Sequence, residues 1–342
     1  MKAKKILLRL LAIALILFLA YLISHLRQQG EFMSMAGFAQ GTTYHITYES
    51  KKGEDLQPMV DSLLADFDMS LSIYQPNSII SRFNNNVPGT RADSKFTAVF
   101  NKSAEVNRVT RGAFDITVGP LVNAMGFGST DTLQVDSTLI DSLLQYVGMN
   151  KVSLNDGILT KQYEHTMLDV NAIAQGYAVD LVAGFLEHRK IKNYLVEIGG
   201  EVRARGKNER RQVWRIGIDK PAEGNMIPGA NLQAIVRLNN RSLATSGNYR
   251  KFYERNGIKF VHTVNPETGY PVISNLLSAT VVADDCMTAD AYATALMVFG
   301  VEKSIEFLED HEFLDAYLIY ADPDGIFRIY MTRGLQKFIE EQ

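Results

Sequence analysis

The sequence predicts an α+β fold: mixed, largely antiparallel sheets with packed helices, following an N-terminal transmembrane helix. Three observations lead there. Short runs of alternating apolar and polar residues, bounded by glycine or Asn-Asp turn signals, recur through the chain and read as half-buried strands and hairpins. Between them lie stretches with apolar residues three and four apart, the spacing of amphipathic helices. No Gly-x-Gly-x-x-Gly follows a first strand, so a doubly wound dinucleotide-binding fold has no support.

The chain opens with MKAKKILLRLLAIALILFLAYLISHL. Ile6 to Ile23 is apolar apart from Arg9 and Tyr21. As a helix this run is about 27 Å long, near the lower end for a membrane span. The basic flank would stay cytoplasmic and send the C-terminal body across an inner membrane to the periplasmic side. A cleaved signal segment and a buried core helix are the rival readings. The organisation expected is therefore an anchor over 1–30 and one body over 31–342. Lys2, Lys4, Lys5, Arg9 and Arg27 are the only charges of residues 1–30, and removing these five from the formal −3 leaves −8 on the body. Such a body is a poor nucleic-acid binder. An anionic ligand would need a local remedy, such as a cation or a helix N-terminus. Cys286 is the single cysteine, which excludes an intrachain disulfide and a cysteine-rich metal site.

Along the body, 24–37 reads as a polar connector and FAQGTTYHITYE as a first strand, with Tyr44, Ile46 and Tyr48 on one side. LQPMVDSLLADFDMSLSIY, 92–110 and 137–146 read as helices, and the NDG of KVSLNDG as a hairpin turn. TMLDVNAIAQGYAVDLVAGFLEHRK suits a strand end followed by a long helix that Asn171 would cap. NYLVEIGGEVRARG reads as strand, glycine turn and strand. WRIGIDKP and NLQAIVRLNNRSLATSG are strand-rich, and the C-terminal segment holds a last hairpin.

Several residues are candidates for chemistry. Asp290 and Thr294, in TADAYATALMVFG, stand four apart on one helix face. Both oxygens can serve the helix itself, or both can face a hard cation such as Mg2+. Asp169, at a strand-to-helix junction, can cap the helix or orient a ligand. Gly176 permits something to pack closely against that helix. His262 precedes the PETG turn and suits a phosphate contact, a proton shuttle or a structural role. In GAFDITVGP, Phe114 can pack on a flat ring and Asp115 can bond a heterocycle or anchor its own loop. The SGNY amides at 246–249 suit a phosphate.

Taken together and in order, GTTYHITY, SIY–SRFN, GAFDITVGPLVNAMGFG, LDVNAIAQGYAVD, EIGGEVRARG, SLATSGNY, HTVNPETG and TADAYATA closely resemble the ApbE-type FAD:protein FMN transferases. The resemblance runs from about residue 37 to 330. It implies an ApbE-like fold and transfer of the FMN half of FAD to a threonine hydroxyl of an acceptor protein, with AMP leaving. It also implies Mg2+ held by Asp290, Thr294 and the Ala172 carbonyl. FAD contacts are implied at Gln40, Tyr74, Ala113, Phe114, Asp115, Asp169, Gln175 and Val264, with His262 or Asp169 as the catalytic base. The acceptor class implied is a membrane redox subunit of the Na+-pumping NADH:quinone reductase or Rnf type. The family's pattern often has Lys where Gln175 stands, Gly or Ser at Asn171, Asp at Asn265 and Met at Gln40. An FAD pyrophosphatase and a non-catalytic flavin-binding envelope protein are the alternative functions.

Overall fold

The computed structural model describes residues 10–18, 30–126, 136–221, 229–247, 252–255, 258–261 and 263–341. Residues 10–18 are helical (α1). The remainder of the expected 6–23 span lies outside the described residues. Among the described residues no helix is long and apolar enough to cross a membrane. The transmembrane part of the expectation is therefore corrected, and the inner-membrane anchoring and export drawn from it lose their support.

An eight-stranded sheet forms the frame, in the order β1 (Glu31–Ala39), β2 (Thr42–Ser50), β5 (Tyr194–Ile198), β6 (Glu201–Arg205), β9 (Arg241–Gly247), β12 (Leu276–Ala283), β13 (Asp315–Ala321) and β14 (Phe327–Met331). Every neighbouring pair is antiparallel, as the sequence predicts. The expected connector at 24–37 differs: its second half is β1, whose Met35 faces the core opposite Ile46. Gln40 and Gly41, both at positive φ, make the two-residue turn into β2. That handedness matches the twist of a two-residue hairpin.

Between β2 and β5 the chain builds most of its helices. These are α2 (Gln57–Leu71), α3 (Ile79–Asn84), α4 (Ser94–Val109), α5 (Gly119–Ala124) and α6 (Ser137–Leu144). The hairpin β3 (Val152–Asn155) and β4 (Ile158–Lys161) follows, then α7 (Asn171–His188). Asp156 and Gly157 both have positive φ at the NDG turn. After β12 come α8 (Cys286–Phe299) and α9 (Val301–Asp310). A small sheet, β15 (Ile339–Glu341), β8 (Leu232–Leu238) and β7 (Trp214–Asp219), packs separately, and β10 (Phe252–Arg255) pairs with β11 (Ile258–Val261).

Two cores result. Tyr44, Ile46, Tyr194, Val196, Ala279, Val281 and Leu318 pack with α2, α4, α7 and α8. Val202, Leu243, Val282, Tyr317 and Ile319 pack with the small sheet through Trp214, Val236 and Leu238. Because alternate residues of β12 and β13 enter different cores, AYLIY is apolar without interruption and SATVVA is buried throughout, Ser278 and Thr280 included. β2 covers only one face and alternates, with Tyr44, Ile46 and Tyr48 inside.

Candidate functional site

The long helices α7 and α8 cross where α7 carries Gly176. A Cβ there would lie 2.4 Å from the Cys286 carbonyl oxygen and 2.8 Å from Asp290 Cβ. Glycine is thus required for this approach. It brings the Gly176 N–H to Asp290 Oδ2 at 2.9 Å. In a regular helix that N–H donates to the carbonyl four residues back, at Ala172. Asp290 also accepts from it, so the Ala172 carbonyl faces competition for its usual donor.

Asp290 is only 5% exposed. Burial pushes its carboxyl up to about 7; the Gly176 N–H works against this and the nearby Asp180 charge adds to it. Capping of α8 falls to Asp285, whose Oδ1 accepts from Thr288 N at 2.8 Å. Asp290 lies more than a turn inside the helix, so an N-terminal helix role does not account for it. Thr294 Oγ1 stands 3.2 Å from Ser246 Oγ on β9. Ser246 is the residue that sequence reasoning missed as a side chain, although SGNY was noted for its amides.

Asp169 sits just before α7. Its Oδ1 accepts from Asn171 N at 2.9 Å; Asn171 is the first residue of the helix and Val170 holds the N-cap position, so Asn171 does not cap it. The Asp169 carboxyl is buried and pushed up, and burial first, then the Asp169 charge, push up the phenol of Tyr74. Tyr74 is 64% exposed and lies within electrostatic reach of Asp169. Asn84, the last residue of SRFN, fixes this junction: its Nδ2 donates to Leu168 O at 2.9 Å and its Oδ1 accepts from Leu168 N at 2.8 Å. Asp169 N donates to Ile116 O at 2.7 Å, which docks the GAFDI segment alongside.

That segment is held from within. Asp115 Oδ1 accepts from Thr117 N and Oγ1, and Oδ2 from Asn107 Nδ2 and Met149 N. Asp115 thus anchors its own loop, and its carboxyl is raised by burial against the pull of those donors. Phe114 is buried in the main core. Ala113 N donates to Thr110 O at 3.2 Å. Val264 is buried in a smaller cluster with Leu121, Met125 and Ile140. The adjoining Asn265 organises the PETG turn, its Oδ1 accepting from Glu267 N and Thr268 N. An amide oxygen accepts there as a carboxylate oxygen would. His262 lies outside the described residues.

Gln175 projects from the first turns of α7 onto the β5–β6 turn. Its Nε2 donates to Ile198 O at 3.1 Å and occupies the space where a Gly199 Cβ would go. Thr42, just after the β1–β2 turn, approaches the same glycine. Gln40 Nε2 is buried without a hydrogen-bond partner among the described residues. A buried amide donor without a partner costs about 1–3 kcal/mol, which suits a position that a ligand completes. The structure thus brings together Asp290, Gly176 and Ala172 at one crossing, Gln175 and the Gly199 turn at one sheet end, and Asp169, Tyr74 and the 113–116 segment at the start of α7. Among the described residues no group of three or more His, Cys, Asp or Glu side chains gathers to hold a metal.

The chain's relatives share this architecture. The ApbE family model matches residues 40–318. A Haemophilus influenzae FAD:protein FMN transferase is 35% identical over 349 residues, covering 98% of this chain and 97% of that protein. Its Vibrio cholerae counterpart is 33% identical, covering 94% and 96%. The solved flavin transferase ApbE from Vibrio cholerae superimposes with a TM-score of 0.82 at 33% identity, over 90% of this chain and 99% of that one. With the family's motifs placed as described and the match extending over nearly the whole length, this chain belongs to the ApbE family of FAD:protein FMN transferases.

Proposed function

We propose that this transferase works at the α7–α8 crossing with Mg2+ as its cation. The reaction moves FMN from FAD to an acceptor protein. Atoms balance simply: the acceptor threonine oxygen bonds to the FMN-side phosphorus, the bond from that phosphorus to the bridging oxygen breaks, and AMP departs with that oxygen. The observation that carries the site is the Gly176 N–H turned to Asp290 Oδ2, beside the Ala172 carbonyl. One carboxylate, the Thr294 hydroxyl and a helix carbonyl whose regular donor also serves Asp290 form the hard-oxygen set that Mg2+ accepts, with water completing its shell. Bound there, Mg2+ supplies charge neutralisation for the pyrophosphate.

The chain's own residues do the rest. Gln175 and Gln40 offer amide N–H donors from two sheet-end turns, one of them already without a partner. Their neutral donors stand in for a lysine at position 175. Tyr74 presents an exposed phenol ring to a flavin, and residues 113–115 contribute main-chain groups, since Phe114 and the Asp115 carboxylate are engaged within the protein. Asp169 is the described base: burial raises its carboxyl toward the range in which a carboxylate takes a hydroxyl proton. Val264 joins the site from the PETG side, and the family's motifs assign His262 a part in proton transfer. The acceptor is a redox subunit of the Na+-pumping NADH:quinone reductase or Rnf type, a reading supported by the family's motifs.

The test is an FAD reaction with a candidate acceptor subunit, followed by intact mass and AMP release across a Mg2+ titration. An added FMN mass that requires both Mg2+ and Asp290 is the expected result. AMP release without an acceptor adduct turns the reading to FAD hydrolysis.

A further inference from the structure

Asp180 lies one helical turn beyond Gly176 on α7, and Cys286 lies one turn before Asp290 on α8. These two helices run antiparallel, so the pairs 176/290 and 180/286 are successive rungs of one crossing. At the second rung the Asp180 carboxylate accepts from the Cys286 N–H at 2.9 Å through Oδ1 and from the Met287 N–H at 2.8 Å through Oδ2. These are the first two residues of α8, whose amides have no partner within the helix. Asp285 reaches only the third, Thr288. The cap of α8 is thus split between its own Asp285 and a side chain of the neighbouring helix.

Asp180 is itself held. Arg203 Nη1 on β6 meets its Oδ1 at 2.7 Å, and the Asp180 side chain is only 12% exposed. β6 pairs with β9, Arg203 standing opposite Ser242. The same β9 carries Ser246, whose Oγ lies beside Thr294 Oγ1. Sheet, α7 and α8 are therefore joined at both ends of the Asp290–Thr294 stretch. Mg2+ tolerates little departure from octahedral geometry at about 2.1 Å. A slide of α8 along α7 would carry the Asp290 carboxylate away from the α7 carbonyl while leaving every ligand residue present.

We propose that Asp180 is a positioning residue for the cation site, setting the axial register of α8 on α7 by gripping two N-terminal amides of α8 while Arg203 ties it to the sheet. This rests on the Mg2+ site at Asp290 proposed above, and the experiment separates the two. Mg2+ alone is titrated by calorimetry into the wild type, Asp290→Ala, Asp180→Asn, Arg203→Gln and Val236→Ala. The last loosens the other core and controls for general loss of stability. Melting curves and FAD kinetics at limiting and saturating Mg2+ accompany each.

Asp180→Asn places an NH2 where a carboxylate oxygen met an amide N–H. Its Mg2+ dissociation constant is expected to rise about tenfold, with kcat largely recovered at saturating Mg2+ and KM for FAD there within about twofold of wild type. Arg203→Gln, which keeps the carboxylate and both caps, is expected to show a two- to fourfold rise and serves if Asp180→Asn does not fold. Val236→Ala should lower the melting point and leave Mg2+ affinity alone. Unchanged Mg2+ affinity in Arg203→Gln and in folded Asp180→Asn, with affinity lost in Asp290→Ala, overturns the positioning role and leaves the site. Wild-type affinity in Asp290→Ala overturns the site and the positioning role with it. An equal loss of affinity in Val236→Ala assigns the effect to stability and overturns the proposal.

Discussion

Asn84 grips Leu168 by both atoms of its amide, donating to the carbonyl at 2.9 Å and accepting from the N–H at 2.8 Å. The two residues are 84 positions apart, and the pair stands where a strand would otherwise have supplied a ladder. Removing it in Asn84→Ala leaves two backbone groups of a buried residue unpaired. A destabilisation of about 2–3 kcal/mol is expected, with a weaker hold on FAD because Asp169 follows directly. Urea denaturation and an FAD titration on the same preparation check both. Unchanged FAD affinity with lost stability would confine Asn84 to the scaffold.

Asp290→Ala should abolish Mg2+-stimulated transfer while the protein stays folded. Asp290 is buried, so the substitution is not the neutral change it would be at an exposed helix position. The fold survives because the Gly176 N–H has a regular helical acceptor in the Ala172 carbonyl when Asp290 is removed. Thr294→Ala removes a neutral oxygen and should be milder. AMP release, Mg2+ affinity and melting temperature, measured side by side, distinguish a lost ligand from a lost fold.

Gly176→Ala is expected to damage stability and cation binding together. Its methyl group would lie 2.4 Å from a backbone oxygen of α8, and a backbone atom cannot swing aside. Overpacking of this kind costs about 1–3 kcal/mol. Since α8 must retreat from α7, Mg2+ affinity should fall in the same variant. A wild-type melting curve would show that the crossing is looser than described.

The Mg2+ affinity should depend on pH through Asp290. Its carboxyl stands near 7 in the cation-free fold, above the usual carboxylate range, because burial disfavours its charge. Between the unfolded value and 7 the folded state holds the extra proton, so this group's contribution to stability is present at low pH and is lost as pH rises through 7. Mg2+ must displace that proton below 7. Stabilisation by Mg2+ should therefore grow from pH 5.5 to about 7.5 and then level off. Asp290→Asn should flatten the curve, which differential scanning calorimetry at fixed Mg2+ can follow.

Gln175→Lys should tighten FAD binding modestly at low salt, by less than about tenfold, and less at high salt. The Gln175 amide is already spent on the Ile198 carbonyl, and an ammonium can keep that bond while adding charge. Turnover need not rise, since the gain falls on bound substrate. Fluorescence titrations at two ionic strengths decide. No change at low salt would make Gln175 a shape element of the Gly199 turn.

The strands were legible wherever one face alone is buried, as in β2, and the antiparallel architecture followed from the hairpin signals. β1 was less so: MSMAG mixes Ser34 and Gly37 with its apolar residues, and β1 is an edge strand that pairs on one side only, with β2. Asp290 and Thr294 stood out through their spacing, but their surroundings did not. The reason is physical. Gly176 and Ser246 reach them from segments 114 and 48 residues away, and no local periodicity encodes that meeting. Asn171 looked like a cap because residue type favours it, whereas the helix begins at Asn171 with Val170 at the N-cap position, and Asp169 takes up the Asn171 N–H. The apolar N-terminal run misled through length and composition alone.

Cys286 opens α8 with its thiol fully buried against the carbonyls of Val202 and Leu243, and burial pushes its ionisation well up. An alkylating reagent can reach it only while α8 is lifted from the sheet. The chain therefore carries its own clock for that excursion, with no second thiol to blur the reading. When resealing outruns alkylation, the labelling rate measures the open fraction, and any ligand that bridges α7 and α8 should slow it in proportion to its occupancy.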